Sequence, residues 1–196
     1  MEKHEDVRIT KSKRDLCNAL TELMLIKPFE KITVGEICER AMINRMTFYK
    51  HYNDKYELLN DLLLNIKQSI KSRIGQVNPT ATIEESALEF TSVLIEAVVN
   101  ECLERREFLL AVNNSDLVLT MISTTIEKSV NDILCGFGER FRLKYSHEML
   151  SSAITGAATF LIRHWLYHCP EVSKDYFLNK TKDFFRELFE SKILFE

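Results

Sequence analysis

Glycine and proline are scarce, at 5 and 3 in 196 residues. So few breakers leave room for long helices and little for a turn-rich β architecture. No stretch alternates apolar and polar residues as a half-buried strand would. The cysteines, Cys17, Cys38, Cys102, Cys135 and Cys169, are odd in number and widely spaced. That pattern argues against a disulfide framework and reads as reduced thiols packed as small hydrophobes. No apolar run reaches the ~18–20 residues of a membrane span, and the first residues are too polar for a signal peptide. A cytoplasmic protein with no membrane partner is expected. A Gly-rich phosphate loop, a nucleophile elbow and a paired histidine–carboxylate motif are all missing. No catalytic residue, no enzyme activity and no cofactor are therefore expected.

What is present is a division of charge. The chain is long enough for one large or two small domains. Its net charge is −3. Residues 1–73 hold 14 Lys/Arg against 11 Asp/Glu, a net +3, and residues 74–196 hold 12 against 18, a net −6. The basic N-terminal part suits an anionic partner, although +3 is modest, and affinity would depend on where the cations sit.

The stretch from Ile32 to Lys55 carries the most information. Thr33 is an N-cap residue with Glu36 three positions on, the spacing of a reciprocal capping box. Val34, Ile37, Cys38 and Ala41 recur at helical spacing. Asn44 is a second N-cap. The helix it opens, Arg45 to about His51, turns Phe48 inward and Arg45, Met46, Thr47, Tyr49, Lys50 and His51 outward. Cations and hydroxyls on one short helix suit DNA: cations meet phosphate, hydroxyls donate to phosphate oxygens, and an arginine can grip a guanine edge. Arg45, Met46 and Lys50 are the expected base-edge contacts. After the helix, Asp54 or Asn53 caps a long helix running to about Ile74.

With Thr47-Phe48-Tyr49, His51-Tyr52 and Asp54-Lys55 in this register, the segment from about Lys11 to Leu63 resembles the helix-turn-helix of the tetracycline-repressor (TetR/AcrR) family. The resemblance implies an all-α fold of about nine helices. It implies an N-terminal three-helix DNA-binding domain over 1–53, a connecting helix over 54–74, and an effector-binding and dimerisation domain over 75–196. It also implies a homodimer on double-stranded DNA, with Thr33, Thr47, Tyr49, His51 and Lys55 at phosphates. The family usually has glycine in the turn where this chain has Met42. A positive φ there would cost about 1 kcal/mol.

The remaining chain reads as helices punctuated by Ser115, Ser146, Pro170 and Ser173, with a bend at Gly75–Thr80. Met1–Ile9 is expected to be a tail, with Lys11, Lys13 and Arg14 in the first turn of helix 1. Wide apolar surfaces on the last two helices suggest a dimer interface of Ile154, Ala158, Leu161, Trp165, Phe177, Phe184, Phe185 and Leu188. A pocket for a hydrophobic or aromatic effector is sketched by Phe90, Phe108, Met121, Thr124, Thr125, Thr159 and Phe160. A C-terminal domain that binds a protein partner or a metal is the alternative. His164 and His168 are four apart on a helix but lack a third ligand in register. No metal is expected from them alone.

Overall fold

The computed structural model describes residues 2–74, 83–112, 115–138, 144–169 and 171–190, with side chains over 7–73, 92–112, 115–132, 134–135, 144–169 and 171–188. The expected bend at Gly75–Thr80, the Pro170 stop and the Phe90 side chain lie outside these. Among the described residues all regular structure is helical: α1 Glu2–Ile26, α2 Val34–Arg40, α3 Arg45–His51, α4 Lys55–Ile74, α5 Ile83–Glu104, α6 Arg106–Val112, α7 Asp116–Gly138, α8 His147–His168 and α9 Lys174–Glu190. No single helix among them is long and apolar enough to cross a membrane.

Helix α1 begins at Glu2, so the expected N-terminal tail is a correction. The sequence from Glu2 to Ile26 contains no glycine or proline to stop a helix. Lys11, Lys13 and Arg14 therefore lie in mid-helix, not in a first turn exposed to the positive end of the dipole. Leu16, Ala19, Leu20, Leu23 and Met24 form the buried face of α1. Beyond Pro28 a short 3₁₀ turn, Phe29–Lys31, places Phe29 in the core with no exposed surface.

The caps follow the sequence closely. Thr33 and Glu36 form the reciprocal box at α2, Asn44 Oδ1 accepts from Met46 N–H at 2.8 Å, and Asp54 Oδ1 accepts from the N–H groups of Tyr56 and Glu57 at 2.9 Å. Ser115, Ser146 and Ser173 cap α7, α8 and α9 through their hydroxyls. Helix α2 closes with two backbone bonds, Met42 N–H to Glu39 O at 3.1 Å and Ile43 N–H to Cys38 O at 2.9 Å. That pairing is a Schellman closure, and it needs a left-handed residue at the position after the cap. Met42 supplies it with φ 54° and stands 93% exposed.

The chain divides into two compact units, residues 1–69 with 102–119, and residues 70–101 with 120–196. The segment 102–119 thus groups with the N-terminal part and not with the rest of 75–196. The physical reason is α6, which packs on α1 and buries Phe108, Ala111 and Val112. Ser115 reinforces the grouping, since its hydroxyl donates to Glu30 Oε1 at 2.8 Å. Cys17 and Cys38 are buried in this unit, and burial pushes the Cys17 thiol up to about 11. They pack as small hydrophobes.

Candidate nucleic-acid interface

The outward face of α3 is built from below. Phe48 is fully buried and Tyr52, at the C-cap, is 3% exposed, so the helix is pinned at its middle and its C-terminal end. The Tyr52 hydroxyl donates to Asp61 Oδ2 on α4 at 2.6 Å. Burial, reinforced by this carboxylate, raises the phenol above its usual range. Lys13 approaches the same carboxylate at 3.4 Å and lies 5.3 Å from the Tyr52 ring centroid. Lys13 is therefore engaged inside the unit. Pinned this way, α3 exposes Asn44, Arg45, Met46, Tyr49 and Lys50, with Thr47 and His51 half-buried at its sides. Met46 is 71% exposed and Tyr49 57%.

Lys55, one of the expected phosphate contacts, is placed against the chain's own main chain. Its ammonium donates to three main-chain carbonyls, Phe29 O at 2.9 Å, Glu30 O at 2.8 Å and Ile32 O at 2.8 Å. An ammonium has three N–H donors, and all three are engaged here. It also sits 4.8 Å from the Phe29 ring centroid and 5.5 Å from that of Tyr56. Burial lowers its pKa, partly offset by the carboxylates of Glu30 and Glu36. Lys55 is a clamp that holds the 3₁₀ turn under α2, and a phosphate could recruit it only by breaking that clamp.

Thr33 is engaged too. Its hydroxyl donates to Glu36 Oε2 at 2.9 Å and accepts from Glu36 N–H at 3.3 Å. Lys27 bonds the other Glu36 oxygen, and with the two Thr33 donors it holds this carboxyl down at about 2. Sequence reasoning missed the seat of Arg45. A Cβ at Gly35 would lie 3.2 Å from Arg45 Cζ, so the guanidinium rests on the bare backbone of α2. Only the glycine in Thr33-Val34-Gly35-Glu36 could have signalled it.

The other predicted sites are dispersed. Phe108, expected as a pocket wall, is a core residue of the first unit, 3% exposed. Thr124 and Thr125 bond back to the carbonyls of Thr120 and Met121 at 2.9 and 2.8 Å. Met121 is half-buried on the same helix. Thr159 and Phe160 do meet, in an open groove of about 360 Å³ between α7 and α8 with Ser123, Glu127, Thr155 and Arg163. Of the interface set, Trp165 and Phe185 are buried within the chain itself, at 6% and 9% exposure. Trp165 stacks on Phe177 at 4.2 Å and its indole N–H donates to Val172 O at 2.9 Å. Leu161 and Phe184 are exposed, and Ile154, Ala158, Phe177 and Leu188 are half-buried.

Two helices at this spacing, joined by a Schellman turn and presenting a capped, polar second helix, define a helix-turn-helix module. Residues 16–62 match the family model described as bacterial regulatory proteins, tetR family. Three solved structures share the fold. One is a TetR-family transcriptional regulator from Syntrophomonas wolfei, 14% identical, covering 92% of this chain and 95% of that one with a TM-score of 0.73. The fatty acid degradation regulator FadR from Bacillus halodurans is 12% identical over 90% and 93% of the two chains, TM-score 0.65. NalD of Pseudomonas aeruginosa, the secondary repressor of the MexAB-OprM multidrug efflux pump, is 15% identical over 95% and 98%, TM-score 0.64. Among curated proteins none matches this sequence. The chain has the fold of these TetR-family regulators, and its residues 16–62 match the family's model.

Proposed function

We propose that this chain is a dimeric transcriptional repressor that reads a pseudo-palindromic operator, with one α3 per major-groove half-site. The observation that carries the reading is the division of labour around α3. Lys13, Lys27 and Lys55 are engaged within the unit, while Met46, Tyr49 and Lys50 project from a helix fixed by Asn44 and Phe48, and Arg45 lies exposed over Gly35 of α2. Arg45, Lys50 and Met46 are assigned to base edges. Thr47, Tyr49 and His51 are assigned to phosphates, with Asn44 and Thr33 beside them at the helix ends and Lys55 beneath as support. The exposed Leu161 and Phe184 support burial against a second copy. Release by a small molecule rests on the α7–α8 groove. Its hydroxyls, acid and base suit a ligand that offers hydrogen bonds beside a hydrophobic or aromatic part.

Selection of tight binders from random duplexes tests this reading, and an inverted repeat is expected. Arg45→Ala should then lose discrimination at one base pair per half-site by about 1–3 kcal/mol. Enrichment of no sequence, together with a steep salt dependence, would mean non-specific binding and end the repressor reading.

A further inference from the structure

The exposed face of α8 ends in two imidazoles. His164 and His168 are one turn apart, both exposed, with ring centroids 5.2 Å apart and planes inclined at 37°. Residues at i and i+4 share a helix face, so both rings can turn a nitrogen toward one ion. Phe160 stacks on His164 at 6.2 Å and 11°, which fixes the first ring from the N-terminal side. The pair occupies the C-terminal end of a helix that closes at His168. Among the described residues no third His, Cys, Asp or Glu completes the set, so one chain offers half a tetrahedral site. The same stripe of α8 carries exposed Ala157, Phe160 and Leu161, so whatever covers those residues also approaches the histidines.

We propose that His164 and His168, with the same pair from a second copy, hold one divalent transition-metal ion of the imidazole-preferring class at the dimer two-fold. Zinc, nickel and copper fit four neutral nitrogen donors, and hard oxygen-seeking ions do not. The proposal rests on the dimer proposed above and takes the exposed stripe of α8 that carries Leu161 as part of its contact surface. Bound there, the ion cross-links the copies and adds its binding free energy to association.

The test is a calorimetric titration of metal-free, untagged full-length protein with zinc chloride, beside sedimentation in chelator and in zinc. One ion per two chains is expected, and His164→Ala and His168→Ala should each weaken uptake by at least about tenfold. Both side chains are exposed, so the variants should keep their helical circular dichroism and bind DNA. His168→Gln, which keeps the side chain polar, should lose zinc equally. Uptake of one ion per chain, uptake undiminished in the variants, or none at micromolar zinc would overturn the site. A protein that is monomeric in chelator and binds no DNA would count against the regulator reading instead.

Discussion

The two units solve the problem of holding helices in place differently. In the first, side chains reach across sequence to main-chain groups and to one another. Lys55 collects three carbonyls, Asp61 gathers Tyr52 and Lys13, and Ser115 ties the cap of α7 to Glu30. Among the described residues, the large side chains shut off completely from solvent, such as Phe29, Phe48, Leu58 and Leu59, lie almost all in this unit. In the second unit, hydroxyls mostly bond back within their own helix, as Thr124, Thr125, Ser129 and Ser151 do. Thr155 is 5% exposed and its hydroxyl finds no hydrogen-bond partner among the described residues. Bonds made within one helix constrain that helix and nothing else. Among the described residues the reading head is thus tied by side chains that reach main-chain groups far away in sequence, while the ties between helices of the second unit are ion pairs and side-chain bonds such as Arg73–Glu101, Ser152–Glu127 and Lys182–Glu96.

Removing the clamp is the strongest way to break this contrast. Lys55→Met deletes a charged donor from three carbonyls and should cost about 2–3 kcal/mol in urea unfolding. DNA binding at a temperature where the variant stays folded should keep its salt slope if the ammonium stays on these carbonyls in the complex. A slope reduced by about one unit per subunit with little loss of stability would reverse the assignment.

Lys55 also marks where sequence reasoning stops. Caps at Thr33, Asn44, Asp54 and Ser115 were legible because they depend on a residue and its neighbours three positions away. The buried faces of α1 and α4 were legible from periodicity. The direction of Lys55 was not, since it depends on three carbonyls more than twenty residues upstream. Similarly, Trp165 and Phe185 read as partner-facing aromatics on helices 8 and 9. Trp165 instead stacks on Phe177 of α9, and Phe185 is buried within the chain. The grouping of α6 with α1, which puts Phe108 in the first unit, is a long-range contact with no local sign.

Met42 sharpens the contrast from the other side, because the first unit fixes its turn at the cost of backbone strain. At φ 54° an L-residue with a Cβ is disfavoured, and glycine is not. Met42→Gly should raise stability by about 1 kcal/mol, after the greater entropy of glycine in the unfolded chain is counted. Operator affinity should not change if Met42 meets only solvent. A loss of affinity at equal folding would show that this 93%-exposed side chain touches DNA.

The smallest effect belongs to the second unit and serves as the control. Lys182 pairs with Glu96 at 2.9 Å, joining α9 to α5, with the carboxylate side chain 53% exposed. Exposed pairs of this kind contribute about 0–1 kcal/mol, so Lys182→Met should fall well below Lys55→Met at neutral pH. The lysine holds the Glu96 carboxyl below its ordinary pKa, chiefly through their hydrogen bond. A carboxyl lowered on folding stabilises above its unfolded pKa, and that contribution is lost as pH falls through the folded value. The difference between wild type and Lys182→Met should therefore shrink in acid, below the usual carboxylate range. If the variant instead loses as much stability as Lys55→Met, α9 is clamped as firmly as the reading head, and the two units do not differ in kind.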